Sequence, residues 1–198
     1  MNAVLPRFIF GLYLPPLVLL LAMNTPAFAG KTLFDFTTAT NPAAWQIVND
    51  DVMGGVSRSS LHLTNGVAVF HGELSLENNG GFASVRSPPA RYDLAGCDAF
   101  WIRVRGDGRS YKFTARTTHS FDGAIYQVVL KTKAGTWEEL CLPLKEFLPT
   151  FRGRVLSGQP PLDPEKITSV GFLISDKQAG AFRLEVAWIK SVKLPLSQ

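Results

Sequence analysis

The sequence is poor in the residues that most often carry chemistry: 198 residues include two cysteines, three histidines and three methionines. Cys97 and Cys141 have no histidine near either, so they make no zinc-binding pattern. An even pair is compatible with a disulfide or with two separate thiols, because spacing does not show whether their Cα atoms come within roughly 7 Å. No P-loop or dinucleotide fingerprint occurs. His62, His71 and His119 lie in separate strand-like runs, outside any nucleophile motif, and read as isolated surface or half-buried residues. Basic runs are lacking too. The net charge of +4 is scattered, which excludes the concentrated cationic face that a nucleic acid requires.

Long apolar runs are also missing. Phe8 to Ala22 falls short of the roughly 18–20 residues that span a bilayer, and Pro15-Pro16 interrupts it. That run follows Arg7 and precedes Ala27-Phe28-Ala29, the order of a charged region, an apolar region and a small-x-small cleavage site. The expectation is a secretory signal over residues 1–29, then one exported domain over 30–198. Such a domain is periplasmic or secreted and keeps no stable membrane anchor after cleavage.

What is abundant is strand-like alternation. Val67 to Leu74 alternates, as do Phe100 to Arg105, Tyr111 to Thr117 and Phe182 to Val186. Period-two patterning places one face in a core and the other toward solvent or a ligand. Turn residues separate the runs at Asn65-Gly66, Asn79-Gly80-Gly81, Gly106-Asp107-Gly108, Asp122-Gly123 and Ala134-Gly135. About ten short strands of this kind predict an all-β, two-sheet sandwich or jelly roll. Single helical turns are expected near Leu144 to Leu148 and near Asp163 to Lys166, the latter with Pro164 at its first position.

The most unusual stretch is NDDVMGGVSRS, Asn49 to Ser59. Asn49, Asp50 and Asp51 set three side-chain acceptors before Gly54-Gly55, and Ser57 and Arg58 add a hydroxyl and a cation. A loop of this composition can hold a hydroxyl-rich ligand, a metal or a peptide, or it can be a connection whose Asp side chains cap its own backbone. Both readings stay open. A structural calcium on Asp and Asn oxygens is chemically reasonable; no other cofactor or metal is expected. Arg103, Arg105 and Arg116 are expected to share one sheet face beside Trp101. Pairing with Asp50, Asp51 or Asp176 would fasten the loops to that face.

NDDVMGGVSRS, GGFASVRS, RVRGDGRSY, FRGR and GFLISDKQAGAFRLE occur in this order across Phe34 to Ile189. The series resembles the complex I intermediate-associated protein 30 family. The resemblance implies a galactose-binding-like β-sandwich, an assembly role for respiratory NADH dehydrogenase in mitochondrial members, and no catalysis. It carries over Asn49, Asp50, Asp51, Met53, Gly54, Gly55, Ser57, Gly81, Phe82, Arg86, Arg105, Gly108, Arg152, Gly153, Asp176 and Lys177 as residues of one motif-bearing surface. The expected function is a non-catalytic module that binds a protein partner outside the cytoplasm through an apolar patch with Met53 and Phe82. The alternative is a jelly-roll carbohydrate-binding module, suggested by Trp101, Asn78 and Asn79.

Overall fold

The computed structural model describes residues 30–38, 44–118 and 123–194. The expected signal segment and His119 lie outside them. The described residues form thirteen strands: β1 (Gly30–Asp35), β2 (Gln46–Asn49), β3 (Arg58–Thr64), β4 (Val67–Leu74), β5 (Ala83–Arg86), β6 (Ala99–Arg105), β7 (Ser110–Arg116), β8 (Ile125–Lys131), β9 (Trp137–Pro143), β10 (Leu148–Phe151), β11 (Arg154–Val155), β12 (Ser169–Ile174) and β13 (Gly180–Val192). The only helical pieces among them are single 3-10 turns. Two of these fall where expected, at Leu144–Glu146 and at Pro164–Lys166 with Asp163 as its cap.

The strands make two antiparallel sheets. The six-stranded sheet has the order β3-β4-β13-β6-β9, with β1 also on β13; the seven-stranded sheet has the order β11-β10-β8-β7-β12-β5-β2. β13 is the long central strand. Along one side, its first half pairs with β4 and its second half with β1, while β6 takes the other side. A bulge at Ala187 inserts one residue opposite β6 and shifts the alternation along β13 by one position, so that the register of faces with β6 is kept. Ile189 therefore still faces the core beside Ile102, and Trp188 still faces outward beside Arg103.

The alternation read from sequence gives the packing. Phe100, Ile102 and Val104 are buried from the six-stranded side, and Tyr111, Phe113 and Ala115 from the other. Phe100 and Phe113 meet edge-to-face across the sandwich with centroids 5.0 Å apart, and Phe113 meets Phe172 at 5.3 Å. Each such ring contributes roughly 1.5–3 kcal/mol through burial alone, so this aromatic layer fixes the sheets face to face.

Register decides where the loops go. Asn49 pairs with Ala83, Ala83 with Ile174, and Ile174 with Tyr111, so these four lie in one row across the seven-stranded sheet. The segments after Asn49, before Ala83, after Ile174 and before Ser110 all leave from the same end. Residues 50–57, 76–82, 106–109 and 175–179 are thereby brought to one rim of the sandwich.

Candidate functional site

The centre of that rim is a buried carboxylate. After β2, residues Asp50–Met53 make one 3-10 turn that ends at Gly54, in the left-handed region at φ 88°. Asp50 is fully buried. Its Oδ1 accepts the Ser57 N–H at 2.9 Å, and its Oδ2 accepts the Ser57 hydroxyl at 2.5 Å and the Gly81 N–H at 2.6 Å. The Phe82 N–H donates to Oδ2 at 3.3 Å, while the Asp50 N–H donates to the Phe82 carbonyl at 3.2 Å. Burial pushes this carboxyl up, but the donors from Ser57, Gly81 and Phe82 outweigh it and hold it below the ordinary value. Fully buried and held by four protein donors, Asp50 is a clamp between two loops.

The glycines follow from the clamp. A Cβ on Gly55 would stand 2.4 Å from Asp50 Cγ, and one on Gly80 would stand 2.5 Å from Asp50 Oδ2. Ser57 extends the network: its proton is committed to Asp50, and its hydroxyl oxygen accepts the Ser75 N–H at 3.0 Å. Asn49 Oδ1 accepts the Ser59 hydroxyl at 2.6 Å, and Asn78 Nδ2 donates to the Gly54 carbonyl at 3.2 Å. Asp51 only caps its neighbour, accepting the Val52 N–H.

With the polar groups turned inward, the loop presents apolar side chains outward. Met53 is 63% exposed, Val52 56%, Val56 44% and Leu76, in the facing loop, 45%. The expected patch therefore exists around Met53, but Phe82 is only half-buried, and Val52, Val56 and Leu76 supply the rest.

A second clamp stands on the same rim. Arg109 Nε and Nη2 grip Asp176 Oδ2 and Oδ1 at 3.0 and 2.7 Å, and Nη1 donates to the carbonyls of Gly180 and Ala181 at 3.0 and 2.9 Å. Nη2 also donates to the Gln178 carbonyl. Burial acts to raise the Asp176 carboxyl, and Arg109 more than reverses it, leaving it below the usual range. Asp107 accepts the Arg109 N–H at 3.0 Å, the Tyr111 hydroxyl at 2.9 Å and the Arg183 N–H at 2.7 Å. Arg109 lies inside the motif RVRGDGRSY, from which the family resemblance carries over Arg105 and Gly108 but not Arg109. Nothing local distinguishes the two; only their places relative to Asp176 do.

The remaining arginines depart from expectation. Arg105 pairs with Glu185, at 2.7 Å from Nε, on the outer face of the six-stranded sheet, and Arg103 pairs with Glu139 at 3.1 Å. Neither reaches Asp50, Asp51 or Asp176. Arg116 belongs to β7 in the other sheet, so it does not share a face with Arg103 and Arg105. Arg86 donates to Gln46 at 2.9 Å near the far end of β5, and Arg152, at φ 47°, sits in the turn between β10 and β11. Asn49–Ser57, Gly81, Phe82, Asp176 and Lys177 thus share the rim, while Arg86, Arg105 and Arg152 do not. The motif residues do not line one surface.

Both cysteines are free. Cys141 is exposed on β9 opposite Trp101, whereas Cys97 packs against the core and donates to the Ala99 carbonyl. Cys97 lies in the turn that precedes β6 and Cys141 is exposed on β9, and the two thiols are not bridged. The histidines correct a second expectation: His62 and His71 are not isolated but adjacent, with His71 Nε2 3.2 Å from His62 Nδ1.

Comparison with known proteins assigns this architecture. The model of the family described as complex I intermediate-associated protein 30 (CIA30) matches residues 34–186. The chain belongs to this family. The mitochondrial complex I intermediate-associated protein 30 of Mus musculus is 29% identical over 180 residues, covering 80% of this chain and 55% of that protein. Its counterpart from Drosophila melanogaster is 29% identical and covers 79% of this chain and 61% of that protein. The chain therefore spans little more than half the length of these CIA30 relatives. A family 11 carbohydrate-binding module of a Clostridium thermocellum cellulosomal cellulase superposes with a TM-score of 0.65 at 17% identity, covering 85% of this chain and 96% of that one. The same type of module in complex with a β-1,3-1,4-mixed-linked tetrasaccharide gives a TM-score of 0.63 at 15% identity, covering 82% and 95%. At such identities these neighbours show the jelly-roll fold alone.

The relatives also overturn one expectation. Five CIA30 relatives are named mitochondrial, and that finding contradicts the expectation of export. The composition of residues 1–29 had suggested a secretory signal. A short apolar run and a small-x-small triplet describe a segment's hydropathy, and hydropathy does not specify its destination.

Proposed function

We propose that this CIA30 member is a non-catalytic binding module that docks on a protein partner during complex I assembly, using the rim of Val52, Met53, Val56 and Leu76. The observation that carries the reading is the Asp50 clamp. Five hydrogen bonds hold the two loops, four to its carboxylate and one from its N–H, so they keep four apolar side chains in solvent instead of folding them inward. Rigid apolar side chains on a fixed loop are what a specific protein interface uses, because little entropy remains to be lost on binding. The names of the relatives, each associated with complex I intermediates, supply the class of partner.

The carbohydrate reading is less well supported. Sugar-binding aromatics need an open face, but Arg103 and Arg105 lie over Trp137 at 5.5 and 5.0 Å, and Lys190 lies 4.4 Å over Trp188. These cations occupy the ring faces that a sugar would stack upon.

Chemical crosslinking with mass spectrometry, in extracts that contain complex I assembly intermediates, tests the proposal. The wild-type chain should capture a subunit of an intermediate through the 52–56 loop. Val52→Asp/Met53→Asp should lose that crosslink while keeping its fold. An undiminished yield from the double variant would sink the idea.

A further inference from the structure

Away from the rim, the outer face of the six-stranded sheet carries a cluster that the binding role does not use. β3 and β4 form a hairpin with seven register pairs, in which Ser60 faces His71 and His62 faces Val69. His62 and His71 are diagonal neighbours on the same face. Their rings stand nearly perpendicular, at 80°, with centroids 4.9 Å apart. The Ser60 hydroxyl stands 2.8 Å from His71 Nε2, and His62 Nδ1 stands 3.2 Å from the same nitrogen.

This is not a catalytic relay. A relay uses both nitrogens of the middle imidazole, one toward the nucleophile and one toward the orienting group. Here both contacts meet at a single nitrogen. Three atoms with lone pairs converge on a small volume, and one proton must sit between the two imidazoles for them to coexist without charge. A metal ion can take that proton's place. Two imidazole nitrogens, each about 2.0–2.1 Å from one metal, are separated by roughly 2.9–3.4 Å for ligand angles between a right angle and tetrahedral. The observed 3.2 Å lies within that span.

We propose that His62 Nδ1 and His71 Nε2 form a two-histidine site for a borderline-soft divalent cation, zinc or copper(II), with Ser60 Oγ beside it and the remaining positions open to water. The hairpin holds both donors in place before any metal arrives, because Ser60–His71 and His62–Val69 lie inside an unbroken ladder. His62 is exposed and His71 half-buried, so a cation can enter from solvent. Imidazole favours these metals over calcium or magnesium, and the Irving–Williams order puts copper(II) above zinc. The charged groups around the pair are Arg183 and Glu185 on β13, with Arg58 and Glu73 further along the hairpin. Glu185 holds Arg183 at 2.8 Å and offsets its repulsion of the cation.

The test is calorimetric titration of the full chain with copper(II) and, separately, zinc, at pH 7.5. Saturable one-to-one binding is expected, tighter for copper(II). His62→Gln and His71→Gln should each weaken it by about tenfold or more, while Cys141→Ser and His119→Ala leave it unchanged. Copper(II) should also broaden the imidazole resonances of His62 and His71 in the wild-type chain, a readout independent of how the variants fold. Absence of saturable uptake below about 1 mM metal overturns the site. So does uptake that follows Cys141 or His119 and ignores His62 and His71.

Discussion

The carboxylate of Asp50 lies 2.6 Å from the amide nitrogen of Gly81, thirty-one residues further along the chain. That contact joins the first family motif to the second, and the surrounding donors turn an acidic loop into a structural clamp. Its removal leaves the Ser57 hydroxyl and three backbone N–H groups without their acceptor. Asp50→Ala is expected to lower stability by about 3 kcal/mol or more, from unpaired buried donors. Gly55→Ala should act in the same direction, because its Cβ would meet the Asp50 carboxylate. Urea unfolding followed by circular dichroism measures both.

Acid should expose the same contact. Asp50 and Asp176 are both held below the ordinary carboxylate value, so between the unfolded value and the folded one the unfolded chain binds more protons. The stability they supply is therefore complete above the unfolded value of about 3.9 and is lost as pH falls through the folded values. Unfolding free energy measured between pH 7 and pH 2.5 should fall steeply below about pH 4. In Asp50→Asn the fall should be shallower, because one linked proton is gone.

Arg109→Lys should be far from neutral. The guanidinium spans Asp176 and three carbonyls, and its side chain is only 12% exposed against 4% for Asp176. An ammonium keeps the charge but cannot reproduce the fork. Loss of about 2–4 kcal/mol is expected by thermal unfolding, approaching the cost of breaking a buried pair. Arg103→Lys, at a partly exposed pair with Glu139, should change stability by less than about 1 kcal/mol.

Met53→Ser and Val52→Ser should separate stability from binding. Both side chains are more than half exposed, so stability should move by no more than about 0.5 kcal/mol. Recovery of the protein partner should nevertheless fall in a quantitative pull-down. A loss of stability in step with the loss of binding would show that the loop needs these residues for its own packing.

The cysteines provide a simple check on the fold. Denatured protein treated with a thiol reagent should titrate two free thiols. In the native state Cys141, exposed on β9, should react faster than Cys97, whose thiol burial pushes up and which packs against the core. A bridged pair, insensitive to reagent until reduced, would contradict the free state of both thiols.

Much of the local structure was legible. Val67 to Leu74 is β4 at its read bounds, and β6 and β7 differ from the read runs by a residue at their ends. β13 was read only over Phe182 to Val186 because the bulge at Ala187 and the outward Trp188 interrupt the simple alternation. The first motif was recognised as unusual, but its composition left a ligand site and a self-capped loop equally open. What resolved it was the fourfold acceptance by Asp50, half of which depends on Gly81 and Phe82 arriving from the segment before β5.

By itself, the amino-acid sequence determined which side chains alternate in and out, where the chain turns, and, through ordered motifs, which family this is. Those properties are local: they follow from φ and ψ preferences and from the two-residue period of a strand. Only the tertiary structure decided that Arg109 and not Arg105 meets Asp176, that Arg116 stands on the other sheet, and that His62 and His71 touch. It also left Cys97 against the core and Cys141 exposed, both free. Such relationships depend on strand order and register, set by the packing of Phe100, Phe113 and Phe172 across the sandwich, and no short stretch of sequence contains that information.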